Sequence, residues 1–533
     1  MTENKITISP AMTVSEINEI IKEAADNSSV YFEKGEYYMN EVIAVNGKKD
    51  FVMYLSEAVF RPYFNSGNGD HVPTDSIDVF HIEDCDNLEI HGGIIKSATP
   101  PNIPGKVMAV TNEYLEIKLF PKTPLTGREK FVHGRTLDAQ GRPCGGHIHD
   151  YVPNSKRYEL VKNDRIIFAK QLACTNHPFC NMEVEFVEEN LCRIRNIYKG
   201  NFRVGMDCTL GHVYYGSCAF VFTACKNVLM NGTRFSSFGG MGVVILPDSR
   251  DFTFRNVVIK SDDNDFHTEP LQSDGIHIAG CGGKLVLDSC YWEYTIDDAL
   301  NAHAQLLTVT ESKNGNIKLI YDKLYGKVLK HWAAVGDTLR VYDVNTKLFK
   351  GTVNVISAGE DTAVTDAAEK GIEINPGDFI TNSAHFCDFY AKNCKLFRCT
   401  GGFKIRSVNS AHIHDCTIDG SRKSIVMSVA FATTKEGGPV KDIVIEHNRF
   451  LNSGYEPSIY SGVYSGDKGE FRHLHKNITI RNNYFANSTA KTLIELTATD
   501  GVVIEDNVMS NCKNTFTEFS NCNDVVCRKN KTE

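Results

Sequence analysis

Two short pieces of this chain carry residue types that can do acid–base chemistry. One is Ser273-Asp274-Gly275-Ile276-His277, the other Ile296-Asp297-Asp298-Ala299-Leu300-Asn301-Ala302-His303. Asp274 and Asp298 are 24 residues apart, and a histidine follows each of them, three and five residues on. Asp297 adds a third carboxyl. Carboxyls held close together cannot all stay ionised cheaply, so at least one keeps its proton to a higher pH. A protonated and an ionised carboxyl form the pair that glycoside hydrolysis needs. His277, Asn301 and His303 are candidates for hydrogen bonds to sugar hydroxyls. Asp-Gly and Asp-Asp-Ala also form turns with no catalytic role. What sets these two apart is their spacing.

That spacing acquires meaning from a repeat. IVIEHNRF (443–450), ITIRNNYF (478–485) and VVIEDNVM (502–509) align, and each places an asparagine at one register: Asn448, Asn483 and Asn507, continued by Asn530. Gly93, Thr233, Val257, Cys290, Cys394 and Cys416 hold the same register earlier in the chain. The base interval is 22–24 residues, with a longer loop in some repeats. A period near 23 made of strands and turns predicts an all-β, right-handed parallel β-helix. Its coils stack with strands about 4.8 Å apart, so Asp274 and Asp298 fall on one face in neighbouring rungs. An asparagine repeated once per coil can hydrogen-bond to the next copy and so satisfy buried amides. The alternative is that asparagine merely marks turns.

Two intervals break the rhythm, 140 residues from Gly93 to Thr233 and 104 from Cys290 to Cys394. Each holds strand-like runs and predicts a small inserted antiparallel β subdomain. The expected organisation is an N-terminal helix and first coils (1–103), a first insert (104–216), coils bearing the aspartates (217–303), a second insert (304–384) and closing coils (385–533). The helix would be capped by Ser15 and bury Ile17, Ile20, Ile21 and Ala24.

Composition bounds the partners. Across 533 residues, 57 Lys and Arg against 66 Asp and Glu give a net charge of −9. That excludes a general nucleic-acid binder, which needs a basic surface, and an anionic-membrane binder. No apolar run approaches the roughly 20 residues of a membrane helix. The opening residues lack the pattern of a signal peptide, and seventeen cysteines cannot all pair within one chain. The expectation is a cytoplasmic protein with free thiols. Cys144, His147 and His149, and likewise Cys174, His177 and Cys180, lack the paired spacing of structural zinc, so no metal or cofactor is expected. Exposed faces of the inserts could pair two copies as a homodimer.

The stretch GSCAFVFTACKNVLMNGTRFSSFGGMGVV, followed by SDGIHIAGCGGKLVLDSCYWEYTIDDALNAHAQ, resembles the α-1,3-galactosidases of glycoside hydrolase family 110. The resemblance implies an exo-acting, inverting hydrolase with a β-helix, two inserted barrels and three catalytic aspartates. Those match Asp297 as general acid, with Asp274 and Asp298 holding and deprotonating the attacking water. The substrate would be a galactose-terminated oligosaccharide or glycan. Polygalacturonase-like glycosidases are the rival reading. They place Asp-Gly one coil before Asp-Asp, but they also need a Gly-His-Gly that this chain lacks. Lys404-Ile-Arg406 resembles their basic, uronate-gripping segment, making Lys404 and Arg406 substrate-binding candidates; the alternative is solvated charge on a strand. A non-catalytic glycan-binding β-helix is the other possibility. Phe238-Gly-Gly-Met-Gly242 either lines the sugar pocket or forms a tight coil corner.

Overall fold

The computed structural model describes residues 4–63, 77–98, 100–121, 133–136, 149–151, 158–160, 184–195, 204–211, 217–261, 270–321, 328–431, 434–454, 456–464, 471–512 and 515–533. Of Cys144, His147, Cys174, His177 and Cys180 nothing is described, and of His149 only the backbone.

The chain is a parallel β-helix in which a full coil contributes three strands. A long strand such as Lys226–Asn231 turns into a short one, Arg234–Phe235, and then into a third. The first two kinds of strand stack in parallel as one continuous sheet, and the third kind stacks as a second sheet of eleven strands. Alternate side chains point inward, which is why Phe220, Phe222, Phe252, Phe254, Leu285, Leu287 and Phe389 join one buried column.

The repeat register falls at the corner between the long and short strands. There the asparagines bond rung to rung. Asn448 Nδ2 donates to Asn483 Oδ1 at 3.1 Å, Asn483 Nδ2 to Asn507 Oδ1 at 3.0 Å, and Asn507 Nδ2 to Asn530 Oδ1 at 3.0 Å. The backbone N–H of each rung donates to the same oxygen, as from Asn448 to Asn483 at 2.9 Å. The ladder continues upward into cysteine, where the Cys416 N–H donates to Asn448 Oδ1 at 2.9 Å. The residue before each rung turns the corner with a left-handed backbone: His447, Asn482, Asp506 and Lys529 have φ of 56°, 53°, 54° and 54°. The motif is therefore a pair, one residue to bend the chain and one to plug the bend.

The N-terminal end is closed by α1 (Val14–Glu23), which buries Val14, Ile17 and Ile21. Its cap is Thr13 rather than Ser15: Thr13 and Glu16 exchange the two bonds of a capping box. A strand, Asn4–Ile8, precedes it and pairs with Ser28–Phe32.

Two antiparallel units interrupt the coils. Strands Leu307–Lys313, Asn316–Ile320, Thr338–Tyr342, Phe349–Ala358, Thr362–Thr365 and Phe379–Asn382 close into a barrel. Its own core includes Val309, Leu319, Leu339, Val341 and Val353. Earlier in the chain, Asn102–Val110, Tyr114–Leu119, His133–Thr136, Val184–Glu188, Leu191–Arg195 and Asp207–Gly211 form a six-stranded antiparallel sheet. Its described strands do not close on themselves, and it buries Val107, Ile117, Cys192 and Leu210. Among the described residues the cysteines are all free thiols, and no helix is long and apolar enough to cross a membrane.

Candidate active site

The site lies on the second sheet, on consecutive third strands: β1 (Met241–Ile245), β2 (Ile276–Ile278), β3 (Asp298–Ala302), β4 (Gly401–Ile405) and β5 (Lys423–Val429). The β2–β3 register pairs Ile276 with Leu300 and His277 with Asn301. Ile276, Leu300 and Phe403 fill the core, so His277, Asn301 and Lys404 take the opposite face. The barrel enters the chain between β3 and β4, yet β4 pairs with β3 as the next rung, Asp298 opposite Gly401 and Asn301 opposite Lys404.

The one-coil spacing brings the carboxyls together. One oxygen from each of Asp274, Asp297 and Asp298 lies within 4.8 Å of the others. Asp274 and Asp298 are buried and Asp297 is half-buried. The Asp298 N–H donates to Asp274 Oδ1 at 3.0 Å, tying the two rungs at their carboxyl end. Lys404 forms an ion pair with Asp298 Oδ2. Burial lifts the Asp298 carboxyl above its ordinary value; Lys404 opposes the shift, and the Asp274 charge adds to it. Such a cluster of carboxyls can also attract a divalent cation; here Lys404 pairs with Asp298, and His277 Nδ1 meets Asp274.

Glycines make the room. A Cβ on Gly401 would lie 1.9 Å from Asp298 Oδ1, so the rung after Asp298 must lack a side chain. A Cβ on Gly275 would lie 2.5 Å from the Ala299 carbonyl and 2.6 Å from Trp292 Nε1. The glycine of the Asp-Gly pair is thus required by packing. In Phe238-Gly-Gly-Met-Gly242, Gly240 and Gly242 would collide with the Ser217 and Gly275 carbonyls at 1.7 and 2.4 Å, and Phe238 is fully buried. That segment is a tight coil corner.

The histidines form a line. His277 Nδ1 is 2.7 Å from Asp274 Oδ2, and His277 Nε2 is 3.2 Å from His303 Nε2. His303, the diagonal neighbour across the sheet, points Nδ1 at the Ala304 carbonyl at 3.1 Å. Burial would depress His277, but its bond and charge interaction with Asp274 outweigh that and raise its pKa. Burial takes His303 down to about 4.

Arg406 is neither solvated nor open to substrate. It is 1% exposed and ion-paired with Glu436, with Nε donating to Ser428 Oγ at 3.3 Å. Lys404, at 18% side-chain exposure, is committed to Asp298. Both therefore balance acids within the site. Glu436 is absent from any motif read in the sequence. It arrives because the loop after β5 runs antiparallel to the end of the site strand, Gln305 opposite Glu436, with the Gly437 N–H donating to the Ala304 carbonyl at 2.9 Å. Arg406 first, then His303, Lys404 and His277, overcome the cost of burial and hold Glu436 far below the usual carboxylate range. The acceptor Asn301 Oδ1 is buried and has no hydrogen-bond partner, leaving it for a hydroxyl group. All eight residues singled out by the sequence converge here: Asp274, His277, Asp297, Asp298, Asn301, His303, Lys404 and Arg406.

A parallel β-helix carrying three clustered carboxyls on adjacent rungs is what the fold and site define. In sequence, the chain is related to curated α-1,3-galactosidases. It is 25% identical over 339 residues to Alpha-1,3-galactosidase A of Bacteroides thetaiotaomicron, covering 58% of this chain and 56% of that protein. It is 26% identical over 319 residues to Alpha-1,3-galactosidase A of Akkermansia muciniphila, covering 56% of this chain and 50% of that protein. The matched region thus spans about half the length of these relatives. No family model matches. Among solved structures, an exopolygalacturonase from Thermotoga maritima superposes with a TM-score of 0.45 at 12% identity, covering 98% of this chain and 93% of that one.

Proposed function

We propose that the chain is an exo-acting glycoside hydrolase of family 110 that removes terminal α-1,3-linked galactose from oligosaccharides or glycans. The observation that carries this reading is the cluster of three carboxyls within 4.8 Å on adjacent rungs. A protein that only binds glycans has no use for that repulsion. The relatives named as α-1,3-galactosidases support the linkage and the sugar.

Asp297, the most open of the three, is assigned to protonate the glycosidic oxygen. Asp298 and Asp274 orient the attacking water and take its proton. Lys404 holds Asp298 in place, and Asn301 Oδ1 accepts from a galactose hydroxyl. A uronate substrate is disfavoured, because the two cations that would clamp its carboxylate, Lys404 and Arg406, are already paired with Asp298 and Glu436.

Inversion rests on the family resemblance. The carboxyl oxygens approach more closely than the roughly 6.5–9.5 Å gap usual for inverting enzymes, an approach that favours a retaining, double-displacement path as the second reading. One experiment decides between them and tests the function itself. The chain is incubated with α-1,3-, α-1,4- and α-1,6-linked galactosides, and the first-released anomer is read by proton NMR. Cleavage of the α-1,3 linkage with β-galactose appearing first is expected. First release of α-galactose establishes retention, and failure to cleave any galactoside overturns the proposal. Asp297→Asn should cut turnover by about 10²–10⁴-fold while sugar binding persists.

A further inference from the structure

The contacts along the histidine line, with His303 held neutral by burial, set its proton count. A carbonyl oxygen only accepts, so His303 Nδ1, 3.1 Å from the Ala304 carbonyl, carries a hydrogen. His303 is neutral in the resting site, so its Nε2 has a lone pair and must accept. The facing His277 Nε2, 3.2 Å away, is then the donor and carries a hydrogen. A further proton lies in the 2.7 Å contact between His277 Nδ1 and Asp274 Oδ2. Asp274 and His277 together thus hold one proton more than a carboxylate facing a neutral imidazole with a bare Nδ1. Asp274 takes another more readily when the line passes one onward.

We propose that His277 and His303 are positioning residues forming a two-imidazole line that draws off the proton shared between Asp274 and His277 as Asp274 takes the attacking water's proton. This rests on the reading of Asp274 as part of the base. In the step, a water O–H bond breaks and its proton binds an Asp274 oxygen, while the water oxygen bonds to the anomeric carbon. The glycosidic C–O bond breaks, and the leaving oxygen takes the Asp297 proton. The proton shared by Asp274 and His277 settles on His277 Nδ1. The His277 Nε2 hydrogen crosses to His303 Nε2. His303 becomes an imidazolium, and Asp274 bears the water's proton in place of the one it shared.

In the resting site Asp274 raises His277 and burial holds His303 at about 4, so the transfer follows only once the water's proton has neutralised Asp274. His303 faces Glu436, Arg406 and His277, and His277 faces Asp274, Glu436 and Lys404. Glu436 is the ionised carboxylate beside the imidazolium that forms, and its pairing with Arg406 keeps it ionised. The β2–β3 register pairs His277 with Asn301 and Ile278 with Ala302, which puts His303 level with Ala279 and two residues past the partner of His277. The diagonal contact is a product of the fold.

The test compares wild type, His303→Gln, His303→Ala and Asp274→Asn on an α-1,3-galactoside, with thermal melts to verify folding. His303→Gln is expected to lower kcat about 10–100-fold with KM within about two-fold, and to shift the acid limb of the kcat–pH profile. Added imidazole should restore part of the kcat of His303→Ala, which a purely structural residue would not show. Wild-type kcat and pH profile in both folded His303 variants would overturn the relay. Near-wild-type turnover in Asp274→Asn would instead overturn the base assignment on which the relay rests. Should a His303 variant fail to fold, ¹⁵N-histidine NMR of the wild type decides the matter. A neutral His303 protonated at Nδ1 is expected, and the Nε2–H tautomer at pH 7 refutes it.

Discussion

Replacing Gly401 with alanine should disable the site while leaving the fold standing. Gly401 opposes Asp298 on the next rung, and its backbone is not in the left-handed region, so alanine is conformationally acceptable there. The new Cβ would sit 1.9 Å from Asp298 Oδ1 and 2.9 Å from its Cγ. An ordinary contact needs about 3.5 Å, so the oxygen must retreat by roughly 1.5 Å. That movement swings the whole carboxyl and with it the Oδ2 that pairs with Lys404. A misplacement of about 1 Å in a reacting group costs about 10²-fold, equivalent to about 2.7 kcal/mol of barrier. The expected result for Gly401→Ala is a fall in kcat of about 100-fold or more, with an overpacking cost to stability of about 1–3 kcal/mol. Steady-state kinetics on an α-1,3-galactoside and urea unfolding measure the two effects. The decisive control is Asp298→Ala, which removes the colliding carboxyl and leaves the Asp298 Cα at 3.2 Å. In that background the added methyl should cost much less, so the stability effects of the two substitutions should be strongly non-additive. Wild-type kcat in Gly401→Ala, or simple additivity in the double variant, would refute the reasoning.

Three further outcomes follow from the same structure. Asn483→Ala should destabilise the closing coils by about 3 kcal/mol, because it orphans the Asn448 backbone and amide donors that share Asn483 Oδ1; Asn530→Ala, at the exposed end of the ladder, should cost about 1 kcal/mol, and urea midpoints rank the pair. His303, His385 and His475 are buried neutral with pKa values about 4 in place of 6.5. The unfolded chain therefore binds protons that the folded chain refuses between these values, so stability should fall as pH drops from about 6.5 toward 4, by about 1–2 kcal/mol for each histidine at pH 5, and a pH series of melting temperatures with no loss on acidification would contradict this. Because burial lifts the Asp298 carboxyl, the acid limb of kcat/KM should lie above the ordinary carboxylate value of 3.8; a limb at or below it would remove Asp298 from the base.

How much of the site could be read in advance varies residue by residue. Asp274, His277, Asp298, Asn301 and His303 were legible because a one-coil repeat converts linear spacing into stacking. Twenty-four residues along the chain become one strand spacing across the sheet. The asparagine ladder was legible for the same reason. The left-handed residues before each rung were not, since His447, Asn482, Asp506 and Lys529 share a backbone angle and no side-chain chemistry. Thr13, not Ser15, caps the helix because the reciprocal bond from Glu16 selects it. In Asp-Gly and in Phe238-Gly-Gly-Met-Gly242, the glycines answer to the rung stacked against them, which no local pattern reveals.

The sequence by itself determined the period, and the period determined which carboxyls would meet, because stacking in a coil is periodic and short-ranged. Everything that depended on contact across the inserts was decided by tertiary structure alone. The barrel separates Asp298 from Gly401 by about a hundred residues, yet their rungs touch. Glu436 reaches Arg406 from a loop in another coil. Whether Lys404 and Arg406 grip substrate or balance buried acids is an electrostatic question. Its answer depends on burial and on the position of every neighbouring charge, and a linear chain specifies neither until it has folded.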